Sequence, residues 1–155
     1  MEILSNISLI LNPTTFGLIL GSTIVGVLIG ALPGLSSGMA IALLLPFTIY
    51  LEPSQAIAAM AALYCGGTFG GSITAILINA PGAPPAAATA FDGFPMAQKG
   101  QAGKALGMAA VSSVVGGIIS LAVLIIFAPT LARIAYKFGP PEYFALAIFG
   151  LSMLA

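Results

Sequence analysis

Histidine is missing from this chain of 155 residues, and so is tryptophan. Without an imidazole, a serine–histidine relay, a histidine metal centre and a histidine proton shuttle are all unavailable. Cysteine occurs once, as Cys65, so no disulfide can form within the chain. A lone cysteine in an apolar segment reads as a buried small hydrophobe. Charge is nearly absent too: four acids and four bases make up 5% of the residues. A soluble domain carries about 25%, and a soluble fold could not cover its surface with so few. The acids Glu2, Glu52, Asp92 and Glu142 stand at segment ends rather than as an intramembrane pair, and no phosphate-cradling loop with its lysine occurs. An enzyme is therefore not expected, and neither is a catalytic residue, a bound metal centre or an organic cofactor. A net charge of zero offers no basic surface to nucleic acid.

What the chain has is length without charge. No Asp, Glu, Lys or Arg lies between Glu2 and Glu52, between Glu52 and Asp92, or between Lys104 and Arg133. Hydrophobic residues make up 59% of the sequence. Runs of this kind are read as membrane-embedded helices. The expected fold is an all-α, polytopic membrane protein with about four to six membrane-embedded helices, some of them broken or re-entrant. Residues 1–14 read as an interfacial segment, since the basic region and cleavage site of a secretory signal are missing. Asn12-Pro13-Thr14-Thr15 reads as a helix cap. Membrane segments are expected at 16–51, 56–80, 105–132 and 143–155, with a Pro/Gly break and loop over 81–104. The chain stops inside an apolar segment, as a truncated chain would.

Two segments cannot be single straight spans. The run 16–51 would be about 54 Å long as one helix, against a hydrocarbon core of about 30 Å. Pro33-Gly34-Leu35-Ser36-Ser37 interrupts it, and Pro46 adds a second weak point. The later break, Asn79-Ala-Pro81-Gly82-Ala83-Pro84-Pro85, removes several amide donors in succession. Non-helical backbone at such depth needs water beside it or protein around it. Each break leaves backbone amides at the start of the helix that follows, where partial positive charge attracts carboxylates. Two broken helices with converging starts are a recurrent anion site in secondary transporters, with freed carbonyls available to a cation. Ordinary surface turns are the competing reading of both breaks.

Between them, Gly66/Gly70 and Gly67/Gly71 stand four apart, a spacing that lets membrane helices approach closely. Thr68, Ser72 and Thr74 on this glycine-thinned helix read as cavity-lining, or else as part of a pure packing seam. Asp92-Gly93 is a good turn pair, so Asp92, Gly93 and Lys99 read as a loop anchor. Lys99 and Lys104 favour a cytoplasmic loop, as do Arg133 and Lys137. A single crossing between the two pairs, with Lys99 and Lys104 inside, is expected over a hairpin bent at Gly116-Gly117.

Gly30-Ala-Leu-Pro-Gly-Leu35, and the longer Pro81-Gly-Ala-Pro84 to Thr89-Ala-Phe-Asp92-Gly-Phe-Pro95-Met-Ala-Gln-Lys99-Gly100 followed by Ala105-Leu-Gly107, resemble the large membrane subunit of the tripartite tricarboxylate transporters, the TctA family. The resemblance runs from about Gly17 onward, and by length the chain resembles the N-terminal portion of a member. It implies a permease subunit of the bacterial inner membrane, working with a periplasmic solute-binding protein and a small membrane subunit. Uptake of di- and tricarboxylates such as citrate by symport with a cation, sodium or proton, in alternating access is implied as well. Carried onto this sequence, the substrate-binding elements are Pro33, Gly34, Leu35, Ser36 and Ser37, with Asn79, Pro81, Gly82, Ala83 and Pro84. Members often have a hydroxyl where this chain has Pro85 and Ala86, and glycine where it has Ser36 or Ser37. That shifts the expected contacts from hydroxyls to backbone amides. The alternative class is a channel-like or structural membrane scaffold without saturable transport.

Overall fold

The computed structural model describes residues 12–153, and the expected interfacial segment falls almost entirely outside them. Among the described residues there are helices and turns and no strands. The protein is a polytopic all-α membrane protein. Helix α1 spans Pro13–Gly30, α2 Ser37–Leu44, α3 Pro53–Ile78, α4 Ala86–Gln98, α5 Ala102–Ala135 and α6 Pro140–Ser152; a 3-10 helix, Leu45–Tyr50, continues α2. Three of them, α1, α3 and α5 (to Arg133), are long and apolar enough to cross a membrane. Two compact units divide the chain, one up to Ser113 and one from Val114 onward.

In the first unit α1 and α3 run parallel. Asn12 caps α1 by accepting from the Thr14 amide at 3.4 Å, with Pro13 at a position where a missing donor costs nothing. The Gln55 side chain, in the first turn of α3, donates to buried Thr15 Oγ1 at 3.3 Å. Farther along, Thr23 meets Gly66, Gly26 meets Leu63 and Gly67, and Val27 meets Gly70. Parallel neighbours require the chain to come back between them. Residues 31–51 make that return, with Ile41, Leu44, Phe47 and Leu51 facing Leu18, Ala59, Met60 and Leu63 across an apolar cavity of about 120 Å³. The return tightens from α to 3-10 where Pro46 removes a donor.

The seam between α1 and α3 is built from glycine because nothing larger fits. A Cβ on Gly26 would run into the Leu63 carbonyl, one on Gly70 into the Val27 carbonyl, and one on Gly66 would stand 2.5 Å from the Thr23 carbonyl. Membrane helices lack a hydrophobic driving force against one another, so dispersion between closely approaching backbones carries the association. The rest of the unit's core is small: Ala40, Ala59 and Ala75, with Leu63 and Ile76 as the largest fully buried side chains.

Several expectations change here. The segment 81–104 is not one loop: α4 occupies Ala86–Gln98, and Asp92 and Gly93 lie inside it. Gly93 is there because a Cβ would stand 2.6 Å from Ile76 Cγ1, a requirement of packing rather than of a turn. Lys99 is the C-cap of α4, and the turn itself is at Gly100, with φ +75°. Cys65 is exposed, not buried, because the inward face of α3 is taken by its glycines and Leu63. Helix α5 passes unbroken through Gly116-Gly117, so no hairpin bends there.

The second unit holds the rest of α5, interrupted only by the lost donor of Pro129, and α6. Glu142 reaches back to cap the start of α6, accepting from the Gly139 amide at 2.8 Å. Most of the described apolar side chains of this unit are exposed, Ile125, Ile126, Phe144 and Phe149 among them, the surface expected of lipid- or protein-facing membrane helices.

Candidate functional site

Helix α1 ends early. Its last turn is level with Gly67 and Gly70, about 12 Å short of the end of α3 at 1.5 Å per residue. The chain then turns tightly: the Leu35 amide bonds the Leu32 carbonyl at 3.1 Å, with Pro33 and Gly34 between them and Gly34 at φ +91°. That is a type II turn, which needs a residue tolerant of positive φ at its third position and favours proline at its second. Ser36 caps the helix that follows, accepting from the Met39 amide at 3.2 Å, while its carbonyl accepts from Ala40 at 3.1 Å. Ser37 is buried against Gly67.

The second break doubles back beside the first. Asn79 ends α3 in the left-handed region, φ 56° and ψ 30°, and the Ala80 amide closes on the Thr74 carbonyl at 3.3 Å. The Asn79 amide bonds the same carbonyl, and asparagine takes the left-handed, helix-ending position that is usually glycine. The chain then descends along α3 until the Gly82 amide reaches the Gly71 carbonyl at 3.4 Å. At that depth Gly82 lies against the Gly30 carbonyl, and Ala83 is buried against Gly71. Helix α4 leaves from here toward the end of α3, where Gly93 meets Ile76.

Helices α2 and α4 therefore start on adjacent turns of α3, at Gly67 and Gly71, and run away from each other. Their positive ends face the same small region of backbone. The amides available there are unequal. Pro81, Pro84 and Pro85 have none, and those of Ala86 and Ala87 are held by the carbonyls of Ala83 and Pro84 at 2.9 and 3.2 Å. Among the described residues, the amides left without a partner include those of Ala83 at the second break and of Ser36, Ser37 and Gly38 at the first. Of the residues expected at the breaks, Gly82, Ala83 and Ser37 are each buried, whereas Pro33, Gly34, Asn79, Pro81 and Pro84 are exposed and shape the turns. Leu35 and Ser36 are half-buried.

The three hydroxyls on α3 behave differently from one another. Thr68 donates to the Tyr64 carbonyl at 2.9 Å and Thr74 to the Gly71 carbonyl at 3.2 Å, and both belong to the helix backbone. Ser72 lines a groove of about 350 Å³ between α3, α4 and the first turns of α5, together with Thr89, Asp92, Ser112 and Ser113. The polar role of Thr89, Ser112 and Ser113 escaped the sequence reading. Its trace there was a shared helical spacing, Thr89 with Asp92 and Met108 with Ser112, that brings each pair to one face. A second groove, of about 420 Å³, lies beside the break between Asn79, Pro81, Phe91 and Phe94.

The profile of the tripartite tricarboxylate transporter TctA family matches residues 16–155, nearly the whole chain. An uncharacterized 52.8 kDa protein from the TAR-I ttuC' 3' region of Agrobacterium vitis is 44% identical over 155 positions, covering 97% of this chain. The chain spans 31% of that relative's length. No solved structure matches significantly.

Proposed function

Because the chain belongs to the TctA family, the membrane component of tripartite tricarboxylate transporters, we propose that it forms the half-site at which a di- or tricarboxylate is held during uptake across a bacterial inner membrane. The observation that carries this is the meeting of the α2 and α4 starts at Gly67 and Gly71. Two helix starts there offer a carboxylate partial positive charge without a lysine or arginine, and the Ser37, Gly38 and Ala83 amides offer it donors. Backbone contact suits a substrate that must also leave, because no fixed ion pair has to be broken. The remainder of the transporter supplies the opposing half of the cavity, a small membrane subunit and a periplasmic solute-binding protein that delivers the carboxylate. A cation gradient drives alternating access.

Uptake of radiolabelled citrate and other carboxylates into vesicles bearing the intact transporter tests the reading. The expected result is saturable, gradient-dependent uptake that falls when Ser37 or Ala83 is enlarged. Uptake that neither saturates nor needs a gradient would instead identify a channel or scaffold, in which the glycine seam does nothing but join helices.

A further inference from the structure

The groove between α3, α4 and α5 has a chemistry opposite to that of the helix starts. All its polar side chains carry oxygen: the Asp92 carboxylate and the hydroxyls of Ser72, Thr89, Ser112 and Ser113. No lysine, arginine or side-chain amide lines it. The Ser72 hydroxyl donates to the Thr68 carbonyl at 3.5 Å, a long hydrogen bond that leaves its lone pairs to the groove. Serine and threonine within helices commonly bond the preceding turn in this way, which makes their oxygens acceptors on the outward side. A carboxylate among hydroxyl acceptors repels an anion and suits a hard cation, whose ligands are oxygens. One carboxylate balances one positive charge. Divalent cations generally draw on more carboxylates or on a substrate phosphate. Four hydroxyls would be superfluous to a proton, which needs the carboxylate alone.

We propose that this groove binds a monovalent alkali cation of the size of Na⁺, with Asp92 as its charge partner and Ser72, Thr89, Ser112 and Ser113 as oxygen ligands. The assignment deepens the transport reading and rests on it for its purpose, because the groove shares its walls with the carboxylate region. Ser72 follows Gly71, against which Ala83 lies, and Thr89 is four residues from the first breakpoint of α4 at Pro85. A cation that ties Thr89 and Asp92 to Ser72 and to α5 fixes where α4 starts. It thereby fixes one side of the carboxylate region.

Binding of radiolabelled Na⁺ to the purified intact transporter, without any carboxylate, tests the site separately from transport. Thermal unfolding in NaCl against choline chloride gives a second readout. Wild type is expected to bind Na⁺ and to melt higher in NaCl. Asp92→Asn should weaken Na⁺ binding at least tenfold and lose the NaCl shift, while melting as wild type in choline. Ser113→Ala, which keeps the charge and removes one ligand, should weaken binding several-fold and covers the case in which Asp92→Asn does not fold. Wild-type binding retained in both variants, or no Na⁺ binding by wild type, overturns the site. Na⁺ binding that follows these expectations in a protein that takes up no carboxylate would uphold the site and reject the proposed function.

Discussion

The carbonyl oxygen of Gly30 lies against the α-carbon of Gly82, so close that a methyl group on Gly82 would overlap it. These residues are 52 positions apart and belong to different breaks. Their contact is what makes two separate interruptions into one region, since it holds the end of α1 and the descent after α3 at the same depth.

Gly82→Ala places a methyl group on a backbone oxygen, which no side-chain rotation can relieve. A drop of several degrees in the unfolding midpoint is expected in detergent, with loss of carboxylate uptake. Gly21→Ala on α1, with no heavy atom within 4 Å of the new methyl, serves as the comparison. It should be neutral or stabilising by up to about 1 kcal/mol through helix propensity.

Gly34 has empty space around it but φ +91°. Gly34→Ala is therefore a conformational penalty without a clash, expected to cost about 1 kcal/mol or somewhat more. Gly34→Val should cost more again, because β-branched residues tolerate positive φ least. Unfolding midpoints of the two variants, ranked against each other, check the turn.

Ser36 separates capping from charge. Ser36→Ala removes the acceptor for the Met39 amide and should cost about 1 kcal/mol. Ser36→Asp keeps an acceptor in that place and adds a negative charge at the start of α2. Its stability should approach that of wild type, while carboxylate uptake falls tenfold or more. An Ser36→Asp protein with unchanged uptake would remove the α2 start from the carboxylate site.

Ile76 is fully buried and fills the space opposite Gly93. Truncation in Ile76→Ala should cost about 2–4 kcal/mol, in the range of large-to-small core changes. The double variant Ile76→Ala with Gly93→Ala refills part of the space, so it should be more stable than the sum of the two single losses. A double-mutant cycle on unfolding midpoints measures that coupling.

Helix α3 crosses from Glu52 to the neighbourhood of α4 and Lys99. In a Cys65→Ala background, Glu52→Cys and Lys99→Cys should react with membrane-impermeant thiol reagents from opposite sides. Lys99→Cys is expected to react from the cytoplasmic one, as the lysines of its loop favour. Labelling of both from one side would contradict the crossing.

The breaks were legible in the sequence because proline and glycine act locally: Pro33-Gly34 could hardly be anything but a turn, and Asn12-Pro13 anything but a helix start. The course of the chain between the breaks was not legible. Parallel α1 and α3 depend on the return of residues 31–51, and nothing in an apolar run states its direction. Asp92-Gly93 misled for a related reason. By itself the pair is a turn, and only Ile76, sixteen residues earlier than Asp92, explains why glycine sits within a helix. Cys65 was assigned to the interior by its residue type, whereas the interior of α3 had already been given to residues with no side chain at all. The hydroxyls of Ser112 and Ser113 carried no polar signal by themselves, and only the fold sets them with Asp92 along one groove.

The seam of Gly26, Gly30, Gly66, Gly67, Gly70, Gly71 and Gly82 also governs what this chain can become. Every one of the other coded amino acids carries a β-carbon, and at each of these positions that atom meets backbone or a fixed neighbour. No substitution there is conservative, whatever its polarity or size. Substitutions that keep the helices' approach must therefore lie around the seam, at positions such as Ser36, Pro85 and Phe94. The seam itself can only be kept, or abandoned as a whole along with the approach of its helices.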